Sequence, residues 1–134
     1  MYLINPLMLI KIVLIIISII FLIIIKFLYD REKMRRRISK SGGMKKRYSA
    51  ITGQILASFP NSEISRISKD SIHITWETRS SMNYFAIIEA FNDVMIRWQE
   101  NTSIGKNEGA WDVKVNFDQM ENSKRIIDEI KSYG

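Results

Sequence analysis

Cysteine is absent from the 134 residues, and histidine occurs once, as His73. Without cysteine there is no disulfide framework, and with one histidine a zinc site of the usual Cys/His kind is excluded. The absence of thiols is compatible with a reducing compartment. The nucleophile elbow G-x-S-x-G is missing, so a hydrolase of that type has no support. Neither G-x-G-x-x-G nor G-x-x-x-x-G-K-[ST] occurs, which removes the common nucleotide cradles. Gly105 and Gly109 flank a polar stretch but lack the strand-to-helix setting that phosphate binding needs. No internal repeat is present, and the only compositionally biased tract is rich in isoleucine.

That tract dominates what is present. Ile12 to Ile25 carries no charge, and Ser18 is its only polar residue. Apolar residues extend the stretch upstream to Leu3, interrupted by Asn5, Pro6 and Lys11. A helix over Leu7–Ile25 would be about 28 Å long, close to the roughly 30 Å hydrocarbon core of a bilayer. A cleaved signal peptide wants a basic start and a small-residue cleavage site. Nothing basic precedes Lys11, and no A-x-A-like pattern follows the run. The reading is therefore a retained anchor over residues 1–29 with its span at about 7–25. Lys11 can snorkel to the nearer interface.

Charge gives an orientation. Between Lys26 and Arg47 ten basic residues face two acids, a surplus of eight, whereas residues 48–134 hold nine basic residues and twelve acids, a deficit of three. Positive charge beside a span stays on the cytoplasmic side. The sequence thus predicts a single-pass protein of the cell membrane with its N-terminus outside and its C-terminal domain in the cytoplasm. Residues 30–43 read as a basic juxtamembrane neck, in which Lys33, Arg35, Arg36, Arg37 and Lys40 would contact anionic lipid headgroups at about 1 kcal/mol each. The same arginines could grip nucleic acid. The membrane already accounts for them, and the domain beyond is acidic, so nucleic acid is not the expected partner.

Ser41-Gly42-Gly43 breaks the neck, and a small domain is expected over 44–134. Met44, Tyr48, Ile51, Ile55 and Phe59 recur at steps of three and four, one face of a helix that Pro60 stops. Residues 62–68 read as a weak strand and Lys69-Asp70 as a turn. Ile72, Ile74 and Trp76 alternate with polar residues in a half-buried strand. Arg79 to Asn83 reads as a loop. Tyr84 to Glu100 fits either a helix or a hairpin turning at Asn92-Asp93. Its β-branched and aromatic content favours the hairpin. Thr102 to Gly109 reads as a loop, and Trp111, Val113, Val115 and Phe117 as a strand. Asp118 and Glu121 have capping-box spacing before a last helix, whose inward residues would be Met120, Ile127 and Ile130, with Ile126 and Tyr133 beside them. The fold class is α+β: one N-terminal transmembrane helix, then an antiparallel sheet of about five strands flanked by helices.

Chemistry-bearing residues are few. His73 falls opposite the apolar residues of its strand, where a partly covered surface histidine is the ordinary role; a general base there has no obvious nucleophile. Asp112 and Asp118 share a polar strand face, the pattern of solvated charge. Trp76, Trp98 and Trp111 fall on the apolar sides of separate strands. They are core residues or, where exposed, anchors for a partner. No cofactor is implied. The sequence points to a membrane-tethered, non-enzymatic interaction module that binds a protein or another copy of itself. The alternative is a small accessory subunit whose span is itself the contact, and a membrane-localised enzyme is third.

Overall fold

A computed structural model describes residues 5–133. The chain divides into two compact units, Met1–Lys33 and Met34–Gly134. The upstream limit of the apolar stretch, at Leu3, lies outside the described residues.

The first unit is helical. Helix α1 (Pro6–Lys40) opens with Asn5, whose side chain accepts the Leu7 N–H at 3.1 Å, and with proline at its first position. Both are favourable at a helix start, where backbone N–H groups lack partners. Its most apolar window has a mean hydropathy of 3.4 and is wholly exposed, so by length and composition this helix is able to cross a membrane. The lone polar residue of the run, Ser18, donates its hydroxyl to the Leu14 carbonyl at 2.8 Å. The helix thus satisfies that group itself.

The second unit contains the last residues of α1, then α2 (Gly43–Arg47), α3 (Ser49–Ser58), β1 (Glu63–Ile67), β2 (Ser71–Glu77), β3 (Ser81–Ala90), β4 (Asp93–Thr102), β5 (Gly105–Lys114) and α4 (Gln119–Ser132). The five strands form one antiparallel sheet in sequence order. Along each central strand alternate residues turn to the same face. Ile72, Ile74 and Trp76 of β2, Phe85 and Ile87 of β3, and Val94, Ile96 and Trp98 of β4 are buried with Ile51 and Ile55 of α3 and Ile126, Ile127 and Ile130 of α4. Phe59 stacks on Trp76 at 4.3 Å between ring centroids. The helices thus close one face of the sheet, as the α+β reading requires.

The core reaches further back than Met44. Met34 and Ile38, inside the segment read as neck, are buried in it. Gly42 and Gly43 both have positive φ, 90° and 84°, a backbone geometry that glycine adopts without steric cost. They turn the chain so that Met44 and Tyr48 return to the same core. The helix expected through Met44–Phe59 is interrupted at Tyr48, yet every residue of its apolar face is buried.

The ambiguous segment is a hairpin. Its turn is Phe91-Asn92, one residue before the expected Asn92-Asp93, because Ala90 pairs with Asp93. Two expected loops are strand instead. Residues 81–83 belong to β3, and the polar stretch 102–109 contains only a two-residue turn, Ser103-Ile104, before β5. The C-terminal helix starts as predicted, with Asp118 accepting the Glu121 N–H at 3.1 Å. Met120, expected in the core, is 42% exposed, since α4 turns Ile126, Ile127 and Ile130 inward on the neighbouring arc. Tyr133 is likewise exposed, though its ring lies 5.3 Å from that of Trp98.

Candidate functional site

Two places in the second unit gather polar chemistry. The first is Glu89, near the end of β3. Counting back by twos from Glu89 gives Ile87 and Phe85, so β3 turns this carboxylate toward the core, where its side chain is fully buried. A buried charge must be paired and hydrogen-bonded. Arg37 Nη2 donates to Oε2 at 2.9 Å, Arg47 Nε donates to Oε1 at 2.7 Å, and the Tyr48 hydroxyl also donates to Oε1. Arg47 continues the network through Nη1 to Ser41 Oγ at 2.7 Å, and Gln119 Nε2 donates to the Arg47 carbonyl at 2.9 Å. Burial raises the Tyr48 pKa above its ordinary value, and the bond to Glu89 raises it further. For Arg47 burial works downward, but its bonds to Tyr48 and Glu89 outweigh it and hold the guanidinium above its usual value. Both groups stay protonated at neutral pH, and the cluster is a clasp that ties the end of α1 and α2 to β3.

The clasp engages one of the neck cations. Arg37, read as a lipid-headgroup ligand, is engaged with Glu89 and also donates to the Phe91 carbonyl. Of the other neck residues, Lys33, Arg36 and Lys40 are exposed and Arg35 is half-buried. Glu89 does not stand out in the sequence. Its one signal is an acid at an inward position of an otherwise apolar alternation.

The second place is the sheet face opposite the helices. Strand pairing sets Arg66, His73, Ala86, Arg97 and Ala110 in one row across all five strands. The neighbouring row includes Tyr84, which is 46% exposed. Small Ala86 and Ala110 sit low between larger side chains, and an open groove of about 970 Å³ results. Arg97 pairs with Asp112 at 2.9 Å, which accounts for that acid on the outer face. His73 is half-buried here, with Nε2 3.2 Å from Ser71 Oγ. This is the nearest approach to a nucleophile and base, but Ser71 is buried and its oxygen is 2.5 Å from Ser68 Oγ. Asp118, which shares the spacing of Asp112 in the sequence, is the cap of α4.

The tryptophans divide. Trp76 and Trp98 are 4% and 2% exposed, so neither is a surface anchor: both face the helices, and the Trp98 indole donates to buried Asn83 at 3.0 Å. Trp111 is half-buried on β5 and donates to Glu129 of α4 at 2.5 Å. Its ring lies over Gly109, where any Cβ would collide with it. The large exposed aromatic of the outer face is Tyr84, a tyrosine whose alternation with Phe85 is its only mark in the sequence.

Among the described residues no group of three or more His, Cys, Asp or Glu is placed to hold a metal ion. No protein family, curated protein or solved structure matches the chain.

Proposed function

We propose that this chain is a single-pass membrane protein whose second unit is a non-enzymatic binding module in the cytoplasm, with the outer sheet face as its recognition surface. The observation that carries this reading is the one-sided covering of the sheet. Helices bury one face, while the other keeps a groove floored by Ala86 and Ala110 and walled by Tyr84 and Arg97. Tyrosine and arginine are the residue types that concentrate binding energy at protein interfaces. The apolar helix supplies the anchor, and the basic surplus near it favours a cytoplasmic domain. Lys33, Arg35, Arg36 and Lys40 add contacts to anionic headgroups. Ser18, bonded within its own helix, gives no support to a span that acts as the contact.

The test is affinity recovery from crosslinked native membranes with a C-terminal tag. Filling the groove with Ala86→Arg, or removing its aromatic wall with Tyr84→Ala, should reduce recovery of a discrete protein partner at least tenfold, the effect of about 1.4 kcal/mol. Exchange of the span for an unrelated apolar helix should leave recovery intact. Loss with the exchanged span and retention in both groove variants would move the contact to the membrane helix and overturn the proposal.

A further inference from the structure

An open antiparallel sheet ends in two edge strands, and each edge presents backbone N–H and C=O groups with no strand to pair them. The two edges of this sheet are built differently. At one edge β1 is five residues long, and its register on β2 slips at Ser65, between Ile64 and Arg66. Shortness and a bulge are both means by which proteins blunt an edge. At the other edge β5 is ten residues long, holds unbroken register with β4 and contains no proline. The Val115 N–H donates to the Asn92 carbonyl at 3.0 Å, so the odd-numbered amides along this line turn toward β4. The amides of Lys106, Glu108, Ala110 and Asp112 therefore point away from the sheet, where no strand follows.

The side chains along this edge carry a pattern of their own. On the face turned to the helices, Trp111, Val113, Val115 and Phe117 are only partly buried, so the core is left unfinished at its β5 margin. On the opposite face stand Lys106, Glu108, Ala110, Asp112 and Lys114, all exposed. Their signs read the same in both directions. Two such strands laid antiparallel with Ala110 opposite Ala110 would set Lys106 against Lys114 and Glu108 against Asp112. Like charges directly opposed are destabilising. A displacement of one strand by two residues reverses this. Glu108 of each copy then faces Lys114 of the other, Ala110 faces Asp112, and Trp111 faces its own equivalent in the apolar layer. Opposite charges and aromatic pairs are favourable across strands. The contrary displacement pairs Lys106 with Asp112, which Arg97 already holds, and sets Trp111 against Asn107. Within the chain, Glu108 and Lys114 are engaged by Lys106 and Asp93 in exposed pairs at 2.9 Å, the kind that is readily exchanged.

We infer that β5 is the interface for a second copy of this chain, joined edge to edge in the antiparallel register that opposes Glu108 with Lys114. The outward amides of both strands gain partners, and the two Trp111 rings together close the margin of the apolar layer. The contact is two-fold and uses the same residues on both sides, so it stops at two copies, with the blunted β1 edges outermost. It does not depend on what the outer groove binds.

Sedimentation equilibrium of the full chain in density-matched detergent reads the association. Glu108→Lys alone sets lysine against lysine at both ends of the contact, and Lys114→Glu alone sets acid against acid. Each should weaken self-association at least about tenfold, the combined effect of two reversed pairs, and leave the melting temperature unchanged because both residues are exposed. An equimolar mixture of the two variants should regain the association of the parent, since every mixed contact again opposes lysine with acid. Because the chain is free of cysteine, a nitroxide on Asp112→Cys labels one position without background. In the inferred register the two labelled positions lie about 8 Å apart, against about 20 Å in the contrary one, so strong dipolar broadening is expected. This label leaves Glu108 and Lys114 in place and decides the case even where a reversal harms folding. A monomeric parent, a dimer that neither reversal weakens, a mixture that fails to recover, or an unbroadened label would each overturn the inference.

Discussion

Glu89 shows how one side chain can organise a small domain. Its carboxylate meets Arg37, Arg47 and Tyr48, residues that lie between 41 and 52 positions earlier in the chain. Removing the acid alone leaves Arg47 without its counter-charge in a protein interior, an arrangement that costs about 3–5 kcal/mol when the remaining ion stays buried. Arg37 is partly exposed, so the lower figure applies. Glu89→Ala should therefore lower the melting temperature of the isolated second unit by roughly 10 °C or more in calorimetry. The joint change Glu89→Met with Arg47→Met should recover much of it, because the buried guanidinium goes with its partner and only the part-exposed Arg37 is left unpaired by the acid. Tyr48 gives the pH signature. Its folded-state pKa lies above the unfolded value of 10.0, so its contribution is whole below pH 10 and fades as pH rises beyond that. Between about pH 10 and 12 the urea midpoint should fall more steeply in the parent than in Tyr48→Phe. Equal slopes would remove Tyr48 from the linkage.

Elements with strict alternation are legible in the sequence; elements with polar ends are not. The strand over Ile72–Trp76 and the inward set Val94, Ile96 and Trp98 are visible because burial on one face imposes a period of two. The extension of β3 through Ser81–Asn83 is hidden because Asn83 is buried by virtue of its bond to the Trp98 indole, a partner 15 residues away. The first half of β5 is hidden for a different reason: it lies at the sheet edge, where strands carry polar and charged residues. The groove is not legible at all, since its row of Arg66, His73, Ala86, Arg97 and Ala110 exists only once four strand registers are set. The start of the second unit is obscured by charge, with Met34 and Ile38 spaced among basic residues. Their burial makes a prediction about boundaries. A fragment beginning at Met34 should fold, and one beginning at Met44 should melt at least 10 °C lower, having lost two buried side chains worth about 1.5–3 kcal/mol each and one partner of Glu89. Identical melting of the two fragments would show that the last turns of α1 add nothing.

At the scale of the whole molecule, composition is the better guide. The apolar run, the basic surplus beside it and the acidic remainder are all plain from the order of residues. Folding adds the sidedness of the second unit, with one sheet face sealed by helices and the other open. The antiparallel sheet also follows chain order from β1 to β5, so each strand pairs with the one made just before it. This gives the clasp a history during synthesis. Arg37 and Arg47 leave the ribosome first, and Glu89 follows Arg47 by 42 residues. At ordinary elongation rates that interval is roughly two to eight seconds. Throughout it both guanidinium groups are made and waiting while their shared carboxylate is still to come. The third strand brings it, so the clasp can close before β4 and β5 exist, and the last two strands are added to an end of the unit that is already locked.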